Sequence, residues 1–265
     1  MARPDRKLVG VVAAALGLAT SCTAFNGKTI HDDAGAAGDG PSSSACSCAS
    51  TPGAVVCEDF ESSPSAIWSA LGDGPTPDPP RAHCGSAAIH LHAPQLNVGD
   101  AFVTGLTETA TFANPKLTQG FFARAWVFLP SASKLASLNY VALFEARQTT
   151  DPYLGVGAQL VPDGAALSDW TIDPNPFEKT AGAVPRDAWT CIEWQVSYSP
   201  TNGTTKLWVG DGDAISIDAT DTQPSPPYGA MIVGLYFGPI KTAQPAIDVW
   251  VDDLVIGPQR IGCAK

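Results

Sequence analysis

The sequence predicts an all-β protein built as a two-sheet antiparallel sandwich. Its segments alternate apolar and polar residues or are rich in aromatic and β-branched residues, and clusters of Gly, Pro, Asn and Asp separate them. No long helical period interrupts this pattern. Many short strands with Gly- and Pro-rich turns are typical of sandwiches, and the alternation predicts one buried and one solvated face for each sheet. The predicted strands are 54–61, 86–93, 120–130, 139–147, 153–161, 189–198, 205–211, 229–238 and 247–257.

The N-terminus has the pattern of an export signal. Basic residues precede an apolar run at 8–19, and small residues follow it before Cys22. The run is too short to span a bilayer, which takes about 20 residues. The stretch LATSC resembles a bacterial lipobox, although Ala19 stands where that pattern prefers Leu. The resemblance implies that Cys22 becomes the lipid-modified first residue of the mature protein, with ordinary secretion as the alternative.

Three parts follow from this pattern: a lipoprotein signal peptide at 1–21, a lipid-anchored flexible linker at 22–52 and the sandwich domain at 53–265. The linker is rich in Gly, Ala, Ser and Asp and cannot bury enough apolar surface to offset its ordering entropy. We expect an exported protein of the cell envelope, held as an outer-membrane lipoprotein or at the cell surface.

The charge balance excludes one class of partner. The chain has 15 Lys and Arg against 26 Asp and Glu, a formal net charge of −11. A nucleic acid is therefore not expected as a partner, because binding it requires a basic surface. An acidic sugar would be repelled at long range unless a local basic pocket or a bound cation overrides the field.

The cysteines predict disulfides. With Cys22 set aside for lipid, six remain, an even number in an exported chain. Spacing alone leaves the pairing open. Because the first and last strands of sandwiches are often neighbours, we expect Cys57 to pair with Cys263 and Cys84 with Cys191. Cys46 and Cys48 lie in the linker and pair with each other or with the edge of the domain.

Several segments resemble a known family. The hairpin formed by WTCIEWQVSY, the turn SPTNGTT and KLWVGDG is similar to one in concanavalin A-like and laminin-G-like jelly rolls. The opening CEDFE, the strand FARAWVFLP and the closing DVWVDDLVIGPQRIGC resemble uncharacterised jelly-roll lipoproteins of bacteria. The resemblance covers 53–265 and implies a jelly-roll sandwich.

Polar and aromatic side chains that suit sugar recognition fall on common strand faces. An aromatic ring stacks on the apolar face of a pyranose, while carboxylates, amides and guanidinium groups bond its hydroxyls. If the strands are neighbours in the concave sheet, these side chains form one groove. The alternative places Trp126 and Trp194 in the core and pairs Arg124 with Glu145. The predicted ligand-binding residues are Arg124, Trp126, Glu145, Arg147, Gln159 and Tyr236.

Two kinds of catalysis are alternatives for this groove. A glycosidase needs two carboxylates at a defined separation, for which Glu145 and Glu193 are the candidates, but the E-x-D-x-x-E strand of jelly-roll glucanases is missing. A polysaccharide lyase needs a base and a cation, roles that Arg124 or Arg147 could fill with Tyr236. The Gln-x-His and Tyr-x-Lys strands of jelly-roll alginate lyases are absent.

Two groups of residues suggest metal binding. Jelly-roll modules often hold a structural calcium between an acidic first strand and an Asp of the last strand, and hard oxygen ligands suit calcium. The candidate ligands are Glu58, Glu61, Asp252 and Asp253, with Asp59 nearby; the alternative is that they keep strand edges soluble. His90 and His92 are spaced for one strand face, but no third ligand is evident, and solvated strand histidines are the favoured interpretation.

Three functions compete at this point. The leading hypothesis is a non-catalytic module of a cell-surface lipoprotein that binds a glycan or another cell-surface component. The second is a carbohydrate-active enzyme, a polysaccharide lyase before a glycoside hydrolase. The third is a structural envelope protein without a ligand. Calcium is the expected cofactor, and no other is predicted.

Overall fold

The computed structural model describes residues 51–62, 64–148, 155–169, 177–179, 183–223 and 227–263, with only the backbone described at 177–179 and 219–220. The predicted signal peptide, the linker, Cys22, Cys46 and Cys48 lie outside these residues and stay predictions. Within the described part of the chain, no helix has the length and apolar character needed to cross a membrane.

In the described part of the chain, strands make up nearly all of the regular structure. The short helix α1 spans Ala110–Ala113, and a 3₁₀ turn spans Pro115–Leu117. The strands are β1 Val56–Glu58, β2 Ser69–Gly72, β3 Thr76–Asp78, β4 Ala88–Ala93, β5 Phe102–Glu108, β6 Gly120–Phe128, β7 Val141–Gln148, β8 Gly155–Val161, β9 Gly164–Asp169, β10 Phe177–Lys179, β11 Trp189–Ser197, β12 Gly203–Val209, β13 Ile215–Thr220, β14 Tyr228–Phe237 and β15 Ile247–Gly257.

These strands form two antiparallel sheets, as predicted. In sheet 1 the order is β13-β12-β11-β6-β15-β4-β3, with β1 also pairing with β15. In sheet 2 the order is β10-β9-β8-β7-β14-β5-β2. The first and last strands are neighbours, with Cys57 opposite Val255, so that expectation is confirmed.

The core lies between the two sheets and is built from the inward-facing alternate residues. Trp194 of β11 contacts Phe121 of β6 edge to face, with ring centroids 5.1 Å apart. It also stacks toward Phe144 of sheet 2 at 6.4 Å, which joins the sheets through aromatic packing. Its indole Nε1 donates to Thr205 Oγ1 at 2.9 Å, so the buried polar atom is satisfied. Trp194 is therefore a core residue.

The expected disulfide pairing is wrong. Cys191 pairs with Cys263, with Cα atoms 5.7 Å apart, and this excludes both Cys57–Cys263 and Cys84–Cys191. Cys57 and Cys84 are disulfide-bonded as well. The cause is the path of the C-terminal segment, which crosses the outer face of β11: Glu193 accepts hydrogen bonds from the backbone N–H groups of Ile261 at 2.7 Å and Gly262 at 3.1 Å.

Candidate functional site

The structure does not bring the predicted groove residues together. Alternate residues of β6 and β11 point away from the core, and these place Arg124, Trp126 and Glu193 on the outer face of sheet 1. The other four predicted residues lie on the outer face of sheet 2. They are Glu145 and Arg147 of β7, Gln159 of β8 and Tyr236 of β14. The expectation of a single groove is wrong, because alternation assigns a face within a sheet but not the sheet itself.

On sheet 2, three of the predicted side chains form a compact cluster. Arg147 Nη2 donates to Glu145 Oε2 at 2.7 Å, and the guanidinium carbon of Arg147 lies 4.6 Å from the ring centroid of Tyr236. Burial raises the pKa of Glu145, and the nearby Arg147 opposes the rise. Arg147 rather than Arg124 is thus the partner of Glu145, so the predicted Arg124–Glu145 pair does not form.

Gln159 lies on the same face, and its side-chain amide makes no hydrogen bond. Gln159 pairs with Ala142 of the neighbouring strand β7, and Ala142 pairs with Tyr236 of β14. The Cα atoms of Gln159 and Tyr236 are therefore separated by two strand spacings, about 9.6 Å. Gln159 is 1% exposed, and neither its oxygen nor its nitrogen has a hydrogen-bond partner. Such buried unsatisfied groups are rare in native proteins and require an explanation.

On sheet 1, the indole ring of Trp126 is covered by another side chain of the protein. It is 8% exposed, and the imidazole of His83 stacks on it with centroids 3.8 Å apart and planes 10° apart. His83 Nδ1 lies 2.7 Å from Asp253 Oδ2. A surface pocket of about 650 Å³ begins beside these residues, lined in part by Trp126, Trp189 and the Cys191–Cys263 disulfide.

Arg124 has a structural position at a β-bulge. The register between β15 and β6 shifts between Asp252 and Val255, and Asp253 within the bulge has a positive φ of 50°. The buried Arg124 Nη2 donates to the carbonyl oxygen of Asp253 at 3.3 Å. Burial lowers the pKa of Arg124, and the charges of Asp253 and Glu193 oppose that shift. Arg124 therefore supports the strained backbone.

The glycosidase pair is excluded by this geometry. Glu145 and Glu193 lie on outward faces of different sheets, and face-to-face sheets are about 10 Å apart even before their outward side chains are counted. Two carboxylates across that thickness exceed the separations of about 5–9.5 Å that glycoside hydrolysis requires. Glu193 is fully buried and holds the C-terminal segment, including Arg260 Nε at 3.2 Å.

The four predicted calcium ligands lie in one region but accept protein hydrogen bonds. Glu58 Oε2 accepts from the backbone N–H of Ser65 at 2.8 Å, and Glu61 binds Ser86. Asp252 accepts from the backbone N–H groups of His83 at 2.8 Å and Asp253 at 2.8 Å.

The paired carboxylates of Asp252 and Asp253 fit a hard cation, because a cation would offset their mutual repulsion. Glu61 fits less well, since it is exposed and both of its oxygens bind Ser86. The calcium ion stays a prediction.

Comparison with known proteins places the fold. No protein-family model and no curated protein matches this chain. Among solved structures, the endo-β-1,4-glucuronan lyase of the fungus Trichoderma reesei superposes with a TM-score of 0.59 at 12% identity, over 77% of this chain and 95% of that one. The cellulose-induced protein Cip1 gives 0.57 at 17% identity, over 79% and 100%. The alginate lyase vAL-1 from Chlorella virus gives 0.54 at 12% identity, over 77% and 99%. The fold is a jelly-roll sandwich.

Sequence reasoning missed two residues of this jelly roll. His83 lies in the loop before β4, where no strand pattern assigns it a face, yet it contacts Trp126 and Asp253. Asp248 of β15 registers with His92 of β4, and its carboxylate lies beside both His90 and His92. The alternation of β15 predicts that Asp248 points outward, but one sequence does not show that β15 pairs with β4.

Proposed function

We propose that this protein binds a glycan on the outer face of sheet 2, with Gln159, Arg147 and Tyr236 as its contacts. The observation that carries the proposal is the buried Gln159 amide, which has no hydrogen-bond partner, beside a guanidinium packed on an aromatic ring. An amide and a guanidinium donate to sugar hydroxyls or carboxylates, and an aromatic ring packs on the sugar. The shared fold of a glucuronan lyase and an alginate lyase supports a polysaccharide as the ligand.

The proposal includes a location. A lipid on Cys22, followed by the linker at 22–52, would hold the domain at the cell envelope within reach of surface glycans. Growth of the producing cells with labelled palmitate tests this: label should enter the wild-type protein and be absent from Cys22→Ala. Equal labelling of both proteins would refute the lipid anchor.

The binding site is tested by replacing Gln159. We expect Gln159→Ala to weaken retention on a polysaccharide array about tenfold, because losing a hydrogen bond to a charged or polar sugar group costs roughly 1.5 kcal/mol. Gln195→Ala is the matched control, since Gln195 lies on the outer face of β11 in the other sheet. Equal retention by both variants and the wild type would refute the site on sheet 2.

A lyase is the second candidate, favoured by the contact between Arg147 and Tyr236. In such a reaction the guanidinium of Arg147 would neutralise a uronate carboxylate, and the Gln159 amide would donate a hydrogen bond to it. Tyr236 would act as a phenolate and take the C5 proton. The C4–O bond would break with its electrons on the leaving oxygen, a C4=C5 double bond would form, and the leaving oxygen would take the proton from Tyr236. The unsaturated product absorbs at 235 nm. Rising absorbance on a retained polysaccharide would assign the lyase, and retention without product would assign binding alone.

A further inference from the structure

A group of three ligating side chains lies on the outer face of sheet 1. His90 Nε2 and His92 Nδ1 each lie 2.8 Å from the same oxygen, Asp248 Oδ1. The three ligand atoms are all within 4.8 Å of one another. Two imidazole nitrogens therefore meet one carboxylate oxygen at the pairing of β4 with β15.

Neighbouring residues hold this group in place. His92 registers directly with Asp248 across the strand pair, and His90 registers with Trp250. The imidazole of His90 stacks on the Trp250 indole with centroids 4.4 Å apart and planes 14° apart. The backbone N–H of Asp248 donates to Ser133 Oγ at 2.8 Å. The ring of His90 and the backbone of Asp248 are thus oriented before any ion binds, which is what metal ligands require.

The group is open to solvent, since the side chains of His90, Asp248 and His92 are 24%, 38% and 52% exposed. An ion can reach it without a rearrangement of the fold.

We propose that His90, His92 and Asp248 bind a divalent transition-metal ion of the zinc type. Imidazole nitrogens suit zinc, copper and nickel, whereas calcium takes six to eight oxygen ligands, so the donor set selects against calcium. Zinc ligands lie about 2.0–2.2 Å from the ion, which places two ligands of a tetrahedral site about 3.4 Å apart. The present separations of 2.8 Å need to open by only about 0.6 Å for such a site. Three protein ligands leave one position for water.

The site differs from the other candidates. The described residues contain one further group of this kind, His83, Cys84 and Asp253, but Cys84 is disulfide-bonded and offers no thiolate. The zinc site lies on sheet 1, and the proposed glycan site lies on sheet 2, so each can fail without the other.

Isothermal titration of the purified protein with zinc chloride tests the proposal. We expect one zinc ion to bind through this group, with at least about tenfold weaker binding in Asp248→Asn and His92→Gln. Calcium chloride should give no competing signal at this group. An anomalous difference peak at the zinc edge, in crystals soaked with zinc, should lie between the three side chains.

The other two histidines of the chain provide matched controls. His31→Gln and His83→Gln each remove an imidazole elsewhere and should leave the zinc affinity within about twofold of wild type. Thermal unfolding of every variant without zinc establishes that it is folded. Unchanged zinc affinity in folded Asp248→Asn and His92→Gln would overturn the proposal, as would the absence of any zinc binding by the wild type.

Discussion

At the scale of single residues, the most unusual carboxyl group is that of Asp252. It is fully buried beside Asp253 in the bulge of β15. Burial and the charge of Asp253 raise the pKa of Asp252 to about 7. Hydrogen bonds from the backbone N–H groups of His83, Cys84 and Asp253 lower this pKa, but by less. The sequence placed an acidic pair here but did not predict His83 or the protonation of a buried acid, because both depend on how the loop before β4 folds back.

This raised pKa predicts a pH dependence of stability. Between about pH 4 and pH 7 the folded state binds a proton at Asp252 that the unfolded state does not, so this group's contribution to stability falls as the pH rises through that range. Asn cannot titrate. The free energy of unfolding of Asp252→Asn, relative to wild type, should therefore rise by on the order of 3 kcal/mol between pH 5 and pH 8. Urea unfolding at the two pH values measures this.

A second Asp→Asn variant controls for the substitution. The pKa of Asp187 is lowered by its hydrogen bonds to Ser131, so Asp187→Asn should show no relative change between pH 5 and pH 8.

Bound calcium would favour ionised Asp252. At pH 8, calcium should raise the melting temperature of the wild type more than that of Asp252→Asn. A pH-independent difference for Asp252→Asn would show that Asp252 is already ionised at pH 5.

At the scale of elements, the sequence pattern predicted the strands that carry alternating apolar residues. The predicted strand 247–257 matches β15, and 120–130 contains β6. Strands without this alternation were missed: β3 is three residues long with Pro77 at its centre, and the seven-residue β5 contains Gly105 and two threonines. Their pairing comes from neighbouring strands and not from local propensity.

The sequence pattern could not predict which strands are neighbours in a sheet or which cysteines form a disulfide. The period of two tells which residues of β7 and β11 point outward, but only the strand order shows that these strands belong to different sheets. The Cys191–Cys263 disulfide likewise depends on a segment with no strand pattern, 258–263, which Glu193 holds against β11. Long-range pairing is settled by the whole fold, and one sequence carries no direct signal of it.

At the scale of the whole molecule, the two outer faces differ in how their side chains are used. On sheet 1 the large aromatic side chains are covered by the chain itself. His83 stacks on Trp126, Arg81 lies over Trp250, and Arg260 lies over Trp208. On sheet 2 the Gln159 amide and Arg147 Nε have no hydrogen-bond partner. The aromatic contacts on sheet 1 add packing that stabilises the fold, although Arg124 Nε on that face also has no hydrogen-bond partner.

This difference predicts opposite effects for two substitutions. Trp126→Ala removes a stacked, buried ring and should lower the free energy of unfolding by about 3 kcal/mol or more, while the folded protein keeps its glycan retention. Arg147→Lys keeps the positive charge beside the buried Glu145 but removes the planar guanidinium fork. It should weaken retention about tenfold or more and lower the free energy of unfolding less than Trp126→Ala does, because the buried carboxylate keeps a cationic partner.

Urea unfolding and retention on the polysaccharide array, measured on both variants, separate the two roles. The sequence alone left two roles open for Trp126, a ligand contact or a core residue. If Trp126→Ala unfolds at the same urea concentration as the wild type but is no longer retained, the pocket beside Trp189 on sheet 1 is the glycan site. Unchanged retention by Arg147→Lys would then agree with that result, because Arg147 lies on the opposite sheet and could not contact a sugar bound there.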